Sequence, residues 1–423
     1  MRRRAVRPWT LPLWFALGAL LTRAVLAYAA PHYQADLAQP LAVATNWGGY
    51  GVAAWCAAAA ATAGAGFAYA RILADPPRLR ITLLLASACT IAGASWSPLL
   101  SSDVYAYAAY GEMARLHLDP YVHHALASDP IVAAASWQWS GSLPVCVYGE
   151  GFVALARALV VAFAGLGTTA VLQAFRAFAC VALLACGAVA YVAADDPQRG
   201  RRAAAFITTN PVALYATLEG HNDALMIACV LGGFAIARRA PVAGGMAAAL
   251  AAAIKAPALA GAAALAFTRR SSAVALGSAA GAAIAIVSSL RLIAALRTTV
   301  APHGTYHTFA AVQALSPLVA AALAIALLLQ LRTFAHAVDR WLVLALCAWL
   351  AIPNPYAWYA LWLLAIAAFA RDRRVVATTL AVAYASTLRY LPDAAGPLCA
   401  AAAFACALAA LLAYLPMAAR ADA

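Results

Sequence analysis

Apolar residues run through this chain in long unbroken blocks divided by short charged connections. They fall at 10–30, 49–70, 81–100, 168–194, 203–219, 223–238, 272–296, 310–331, 341–353, 356–370, 375–390 and 397–416. A spanning helix needs roughly 20 apolar residues, so these blocks predict about 12 transmembrane helices. The runs are continuous rather than alternating, which argues against a β-barrel. Two stretches break the pattern. Residues 151–166 are apolar, yet a crossing there would put Arg199, Arg201 and Arg202 on the wrong side. A helix lying in the outer interface is expected instead. Residues 241–268 would make a helix of about 42 Å, too long for one crossing and too short for two. Arg238-Arg239 and Arg269-Arg270 flank it, so both ends belong on one side. A re-entrant pair of half-helices broken near Lys255-Ala256-Pro257 meets both conditions, and such breaks occur where they line a cavity. The expected fold is all-α: one polytopic membrane domain over 1–423 with a re-entrant pair and interfacial helices.

Composition agrees. The 423 residues are 66% hydrophobic and only 10% charged, with a mean hydropathy of +0.83, whereas a soluble domain carries about a quarter charged residues. The net charge of +13 invites a nucleic-acid reading, but its distribution excludes one. Arginines gather in the N-terminal tail and in alternate connections, at Arg71/Arg78/Arg80, Arg199/Arg201/Arg202, Arg238/Arg239, Arg269/Arg270, Arg332/Arg340 and Arg371/Arg373/Arg374. That is the positive-inside pattern, and it puts the N-terminus in the cytoplasm of an inner (plasma) membrane protein. The opposite connections hold Asp36, Asp103, Glu112, Asp119, Asp129, Glu150, Asp223 and Asp393. Eight cysteines lie in apolar runs as small hydrophobes, and Cys146 alone sits in polar sequence. Arg2-Arg3-Arg4 before the first apolar run reads as the flank of a retained first helix rather than of a signal peptide.

The one long polar stretch, 101–150, is therefore extracytoplasmic. It opens Ser101-Ser102-Asp103-Val104-Tyr105-Ala106-Tyr107 and continues through Gly111, Asp119-Pro120-Tyr121-Val122-His123-His124, Trp137, Trp139 and Tyr148-Gly149. Acidic, aromatic and turn-rich, it has the chemistry of a site for sugars or other polyols. Asp103 is the first candidate for catalysis, although Ser101, Ser102 and Asp103 are also good helix caps. Lys255 is the single lysine in the chain, and it lies at membrane depth, where a charge costs at least about 2.5–3.5 kcal/mol. It reads either as a snorkelling residue or as a cation facing an anionic group such as a phosphate. Glu219-Gly220-His221-Asn222-Asp223 reads as a tight loop or a polar cluster, and its spacing matches no trusted metal pattern. Arg297, His303, Tyr306 and His307, with Arg389, Arg176 and Arg291, are helix-end cations or, as a set, partners for a phosphate-bearing ligand. Tyr356, Trp358, Tyr359 and Trp362 read as an interfacial aromatic belt.

Ser-x-Asp-Val-Tyr-x-Tyr-Ala-Ala-x-Gly over 101–111, Asp119-Pro120-Tyr121-Val122-His123, Asp129-Pro130 and Tyr148-Gly149 resemble the polyprenol-phosphate-mannose-dependent α-1,6-mannosyltransferases of the GT-C superfamily. Asn210-Pro211, Gly220-His221-Asn222-Asp223-Ala224-Leu225-Met226 and Lys255-Ala256-Pro257 follow in that family's order. The resemblance covers roughly 100–260. The spacing is also similar to that of the mannosyltransferase that starts the glycosylphosphatidylinositol glycan. Glu112 stands where a basic residue is expected, and Glu150 where a proline is, which bears on the acceptor more than on the reaction.

The resemblance implies a GT-C fold, a sugar carried on polyprenyl phosphate and an inverting transfer to a glycan, lipid or other hydroxyl acceptor. An outward-facing site agrees, because nucleotide sugars are cytoplasmic. The expected roles are Asp103 as base; Tyr105, Tyr121, His123, His221, Asn222 and Asp223 at the substrates; and Lys255, Arg297, His303 and Arg389 at the donor phosphate. No cofactor is indicated, with a divalent metal as the open alternative. A transporter or flippase of a lipid-linked or small anionic substrate is the rival class, although no two-half symmetry is visible.

Overall fold

The computed structural model describes residues 9–29, 48–94, 101, 103–122, 129–138, 143–299, 331–350 and 356–387, with four isolated positions between 321 and 329. Among these residues every regular element is a helix. The first three are α1 (Thr10–Ala29), α2 (Gly48–Ala74) and α3 (Leu79–Ala92). The polar stretch folds into α4 (Asp103–Arg115) and α5 (Pro130–Gln138), followed by α6 (Glu150–Phe163) and the long α7 (Thr168–Ala193). Then come α8 (Pro197–Thr208), α9 (Pro211–Leu218), α10 (Asp223–Ile236), α11 (Pro241–Leu250), α12 (Ala258–Arg269), α13 (Ser272–Ser288) and α14 (Leu290–Thr299). The last described helices are α15 (Ala337–Leu350), α16 (Ala360–Ala367) and α17 (Arg373–Ser386).

Large apolar side chains stand exposed around this bundle, among them Leu13, Phe67, Ile91, Val181 and Val287. A soluble monomer does not display so much apolar surface, whereas a lipid-facing one does. Among the described residues, two helices, over Val52–Ala74 and Thr168–Ala193, are long and apolar enough to cross a membrane by length and composition. Two of the blocks expected as single spans are each divided between two helices. The block 203–219 is divided between α8 and α9, because Pro211 has no N–H for the ladder and sets φ for a new first turn. Asn210 caps that turn, its side-chain oxygen accepting from the Val212 N–H at 2.9 Å. The block 272–296 is divided at Ser289 into α13 and α14. The blocks 310–331 and 397–416 lie largely or wholly outside the described residues.

The apolar segment 151–166 is the helix α6 with a 3₁₀ turn behind it, Ala164–Leu166. Its inward face buries Phe152, Val153, Ala156 and Val160. The stretch 241–268 breaks close to where its length requires. α11 runs into a 3₁₀ turn, Ala251–Ala253, and the helix does not resume until Ala258, so Lys255 and Pro257 lie in the gap.

Two apolar clusters organise the molecule. One joins α1–α3 and α7–α10 to α15–α17. The other is built from α4, α5 and α6 with parts of α7 and α14. Ile254, beside the break, packs against both. Polar residues collect along the seam between the two clusters.

Candidate active site

Asp103 is the first residue of α4, and its backbone N–H donates to Ser101 Oγ at 3.1 Å. Ser101 thus caps the helix that Asp103 begins. Asp103 Oδ2 accepts from Tyr107 one turn along the helix, at 3.4 Å, and from Tyr148 across the loop, at 3.3 Å. Nδ1 of His221 lies 3.5 Å from the same oxygen. The His221 side chain is fully buried, while 23% of the Asp103 side chain is open. Burial pushes the Asp103 carboxyl above its ordinary value, although Lys255 and the hydroxyls of Ser101 and Tyr148 pull the other way. Burial, reinforced by the charge of Lys255, holds His221 well below the ordinary imidazole range. The ring is neutral, able to donate through one nitrogen and accept through the other.

Tyr148 is held from two sides. Tyr121 donates its hydroxyl to the Tyr148 carbonyl at 2.8 Å. The next residue, Gly149, donates its N–H to the Ile254 carbonyl in the helix break, at 3.2 Å. A side chain at 149 would run into the Ala253 backbone, so only glycine lets the loop approach this closely. Tyr148 therefore joins the two candidates, its hydroxyl on Asp103 and its ring 5.6 Å from the Lys255 ammonium.

Lys255 does not snorkel. Its ammonium donates to both oxygens of Asp223, at 2.8 and 2.9 Å, and lies against the rings of Tyr359 and Trp362. A buried ammonium so placed gains from a carboxylate and from the negative faces of the rings. Asp223 starts α10 and also accepts from the Trp362 indole N–H at 2.6 Å. The aromatic belt expected at 356–362 is corrected: Trp358 is buried and stacks on His221 at 3.9 Å, and Trp362 reaches Asp223. Hydropathy cannot separate an interfacial tryptophan from one turned inward.

Gly220 makes the turn between α9 and α10 at φ +86°, a conformation that suits glycine. It brings His221 to Asp103 and Asp223 to Lys255. Both ring nitrogens of His221 and both amide atoms of Asn222 are buried without a hydrogen bond among the described residues. Buried polar atoms are seldom left so, and these point to a polar ligand. Glu219 is buried nearby, with its carboxylate 3.8 Å from His221 Nε2.

The other expected residues divide. Tyr105 faces away from Asp103 around α4 and is buried beside Arg176. Tyr121 touches the cluster only through Tyr148. His123, His303, Tyr306, His307 and Arg389, and the side chain of Arg297, lie outside the described residues. Arg291 is exposed and pairs with Asp119 at 3.7 Å. Asp129 caps α5, and Glu112 is buried in an ion pair with Arg115. Tyr107 and Tyr148 stand within the motifs of the sequence without a mark of their own; their spacing of four residues and 45 residues from Asp103 identifies only the first as its neighbour.

Cys146 is a buried free thiol, and burial pushes it up to about 12. Only the thiolate is nucleophilic. Cys146 therefore stays unmodified when folded protein meets a maleimide at neutral pH and reacts once the protein is denatured, as peptide mass spectrometry would read. Labelling in the folded state would contradict this burial.

A family model described as the alpha-(1->6)-mannopyranosyltransferase N-terminal domain (MptA_B family) matches residues 16–271. No curated protein and no solved structure matches. The match spans more than half of the chain and contains Asp103, Tyr107, Tyr148, His221, Asp223 and Lys255. The chain belongs to the MptA_B family of alpha-(1->6)-mannopyranosyltransferases.

Proposed function

We propose that this mannosyltransferase takes a hexose, mannose by its family, from a polyprenyl-phosphate-linked donor. It passes the sugar, with inversion, to a hydroxyl of a glycan, lipid or other acceptor on the extracytoplasmic side. The observation that carries the reading is Asp103: a partly open carboxylate beside a histidine whose buried ring nitrogens have no hydrogen bond among the described residues. The acceptor oxygen attacks the anomeric carbon while the bond from that carbon to the lipid phosphate breaks. The acceptor proton passes to the Asp103 carboxylate, and the bonding electrons leave with the phosphate. Lys255 has three N–H donors, and the two oxygens of Asp223 take two of them. The third serves the leaving phosphate. Arg297, His303 and Arg389 join it there on the strength of their sequence positions. His221 and Asn222 contact sugar hydroxyls, with Tyr105, Tyr121, His123 and Asp223 completing the substrate site.

The fuller architecture belongs to the same proposal: a GT-C domain over 1–423 with about 12 spans, a re-entrant pair at 241–268, a cytoplasmic N-terminus and the loop 101–150 outside. No cofactor takes part in it. The family match counts against the transporter reading. Membranes given radiolabelled polyprenol-phosphate-mannose form labelled glycoconjugate, with or without a chelator. Label that crosses the membrane without covalent transfer would overturn the proposal.

The raised Asp103 carboxyl predicts the pH profile. A base works deprotonated, so transfer is full above the raised value and is lost as pH falls through it. The acid limb lies above the ordinary aspartate value of about 3.9. A rate that holds constant down to that pH contradicts the assignment.

A further inference from the structure

A cavity of about 1050 Å³ extends along α10 and α16, and Asp103 is not part of its lining. Its wall is apolar along most of its length, with Met226, Val230, Phe234, Leu344, Ile366 and Phe369 among the side chains that form it. Trp362 stands at one end. Arg199, Arg202, Arg269, Arg371 and Arg373 gather at the other, against the single carboxylate of Asp195. Arg199 already engages Asp195 and Asp196. Arg202, Arg269, Arg371 and Arg373 hold no ion pair among the described residues. Along the helix axis, Met226 and Phe234 are about 12 Å apart, so the two ends are well separated.

Such a cleft asks for an amphipathic anion, with an apolar body and a charged head at one end. A nucleotide is a poor match, because its sugar and base would need hydrogen-bond partners along a wall that has few. An arginine cluster suits a phosphate, and the positive-inside reading puts these arginines beside the inner leaflet. We propose that the cleft binds an anionic phospholipid of the bilayer, its phosphate on Arg202, Arg269, Arg371 and Arg373 and an acyl chain extending to Trp362. The site is separate from the donor site, and its occupancy does not depend on the reaction proposed above. The side chain of Trp362 is shared between the two. The ring of Trp362 forms the inner end of the cleft, while its N–H holds Asp223. A lipid chain packed there backs the indole that orients Asp223, and through it Lys255.

The full chain, purified in mild detergent and reconstituted in nanodiscs of phosphatidylglycerol or phosphatidylcholine, tests this. Native mass spectrometry should find phosphatidylglycerol retained in preference to phosphatidylcholine, and phosphatidylglycerol should raise the melting temperature. Arg371→Gln with Arg373→Gln weakens that retention on the order of thirtyfold, from two lost cation contacts. Both side chains are exposed, so the fold survives. Ala348→Trp, on the exposed cleft wall, abolishes retention by filling the space. Equal retention of the two lipids, retention untouched by both variants, or polyprenyl phosphate held in place of phospholipid would each overturn the proposal. These readouts need no transfer activity, so a failure of the reaction assignment leaves them unaffected.

Discussion

Asp103→Asn lowers the rate of sugar transfer by about 10²–10⁴-fold, the usual worth of a positioned general base. The substitution is nearly isosteric, and the amide oxygen still accepts from Tyr107 and Tyr148, so the helix start and the loop stay in place. The variant should therefore reach the membrane at wild-type levels and unfold at the wild-type temperature. Donor affinity is expected to change little, because the lost interaction belongs to the moment of proton transfer. Radiolabel transfer and donor binding, measured on the same membranes, separate these effects. A variant that transfers at more than about a tenth of the wild-type rate removes Asp103 from the role of base, since that loss is smaller than a base supplies.

Lys255→Met lowers stability by about 3–5 kcal/mol, the cost of leaving one partner of a buried pair behind. The Lys255 side chain is 9% exposed and that of Asp223 is fully buried. The carboxylate left behind keeps the Trp362 indole as donor but loses its counter-charge. Adding Asp223→Asn restores most of the loss, because the amide is neutral and still accepts from Trp362. Thermal unfolding of the single and double variants in one detergent checks this. A double variant no more stable than Lys255→Met shows that the pair does not set the cost. The double variant also tests the proposed chemistry, as the stable background in which both Lys255 and Asp223 are changed. It folds but has no cation for the leaving phosphate, so it should transfer poorly. Wild-type transfer from it would detach Lys255 from the donor phosphate.

Much of the fold class and part of the site were legible in the residues alone. The break near Lys255-Ala256-Pro257 followed from length, basic flanks and proline, all of them local. Asp103 and Lys255 stood out because each is an isolated charge next to apolar sequence. Their relation to other residues was hidden. Lys255 read as a snorkelling residue or a cation for an anionic group such as a phosphate, whereas its ammonium is seated on Asp223, 32 residues away in sequence. Trp362 read as an interfacial anchor, whereas it holds the same carboxylate across 139 residues. Tyr148, which touches Asp103 and Lys255 together, carried no mark beyond a glycine beside it. Hydropathy gives a residue's preference for lipid or water. It does not say which neighbour that residue meets.

What the sequence determined by itself is the all-helical class, the apolar composition, the place of the helix break and the family, through the short motifs around Asp103, Asp223 and Lys255. Those properties depend on periodicity, capping and spacing within a few turns. Only the tertiary structure decided that α4, the 148–149 loop, the α9–α10 turn, the helix break and the segment 356–362 meet at one seam. That meeting depends on side-chain packing between helices far apart along the chain, and no local pattern encodes it.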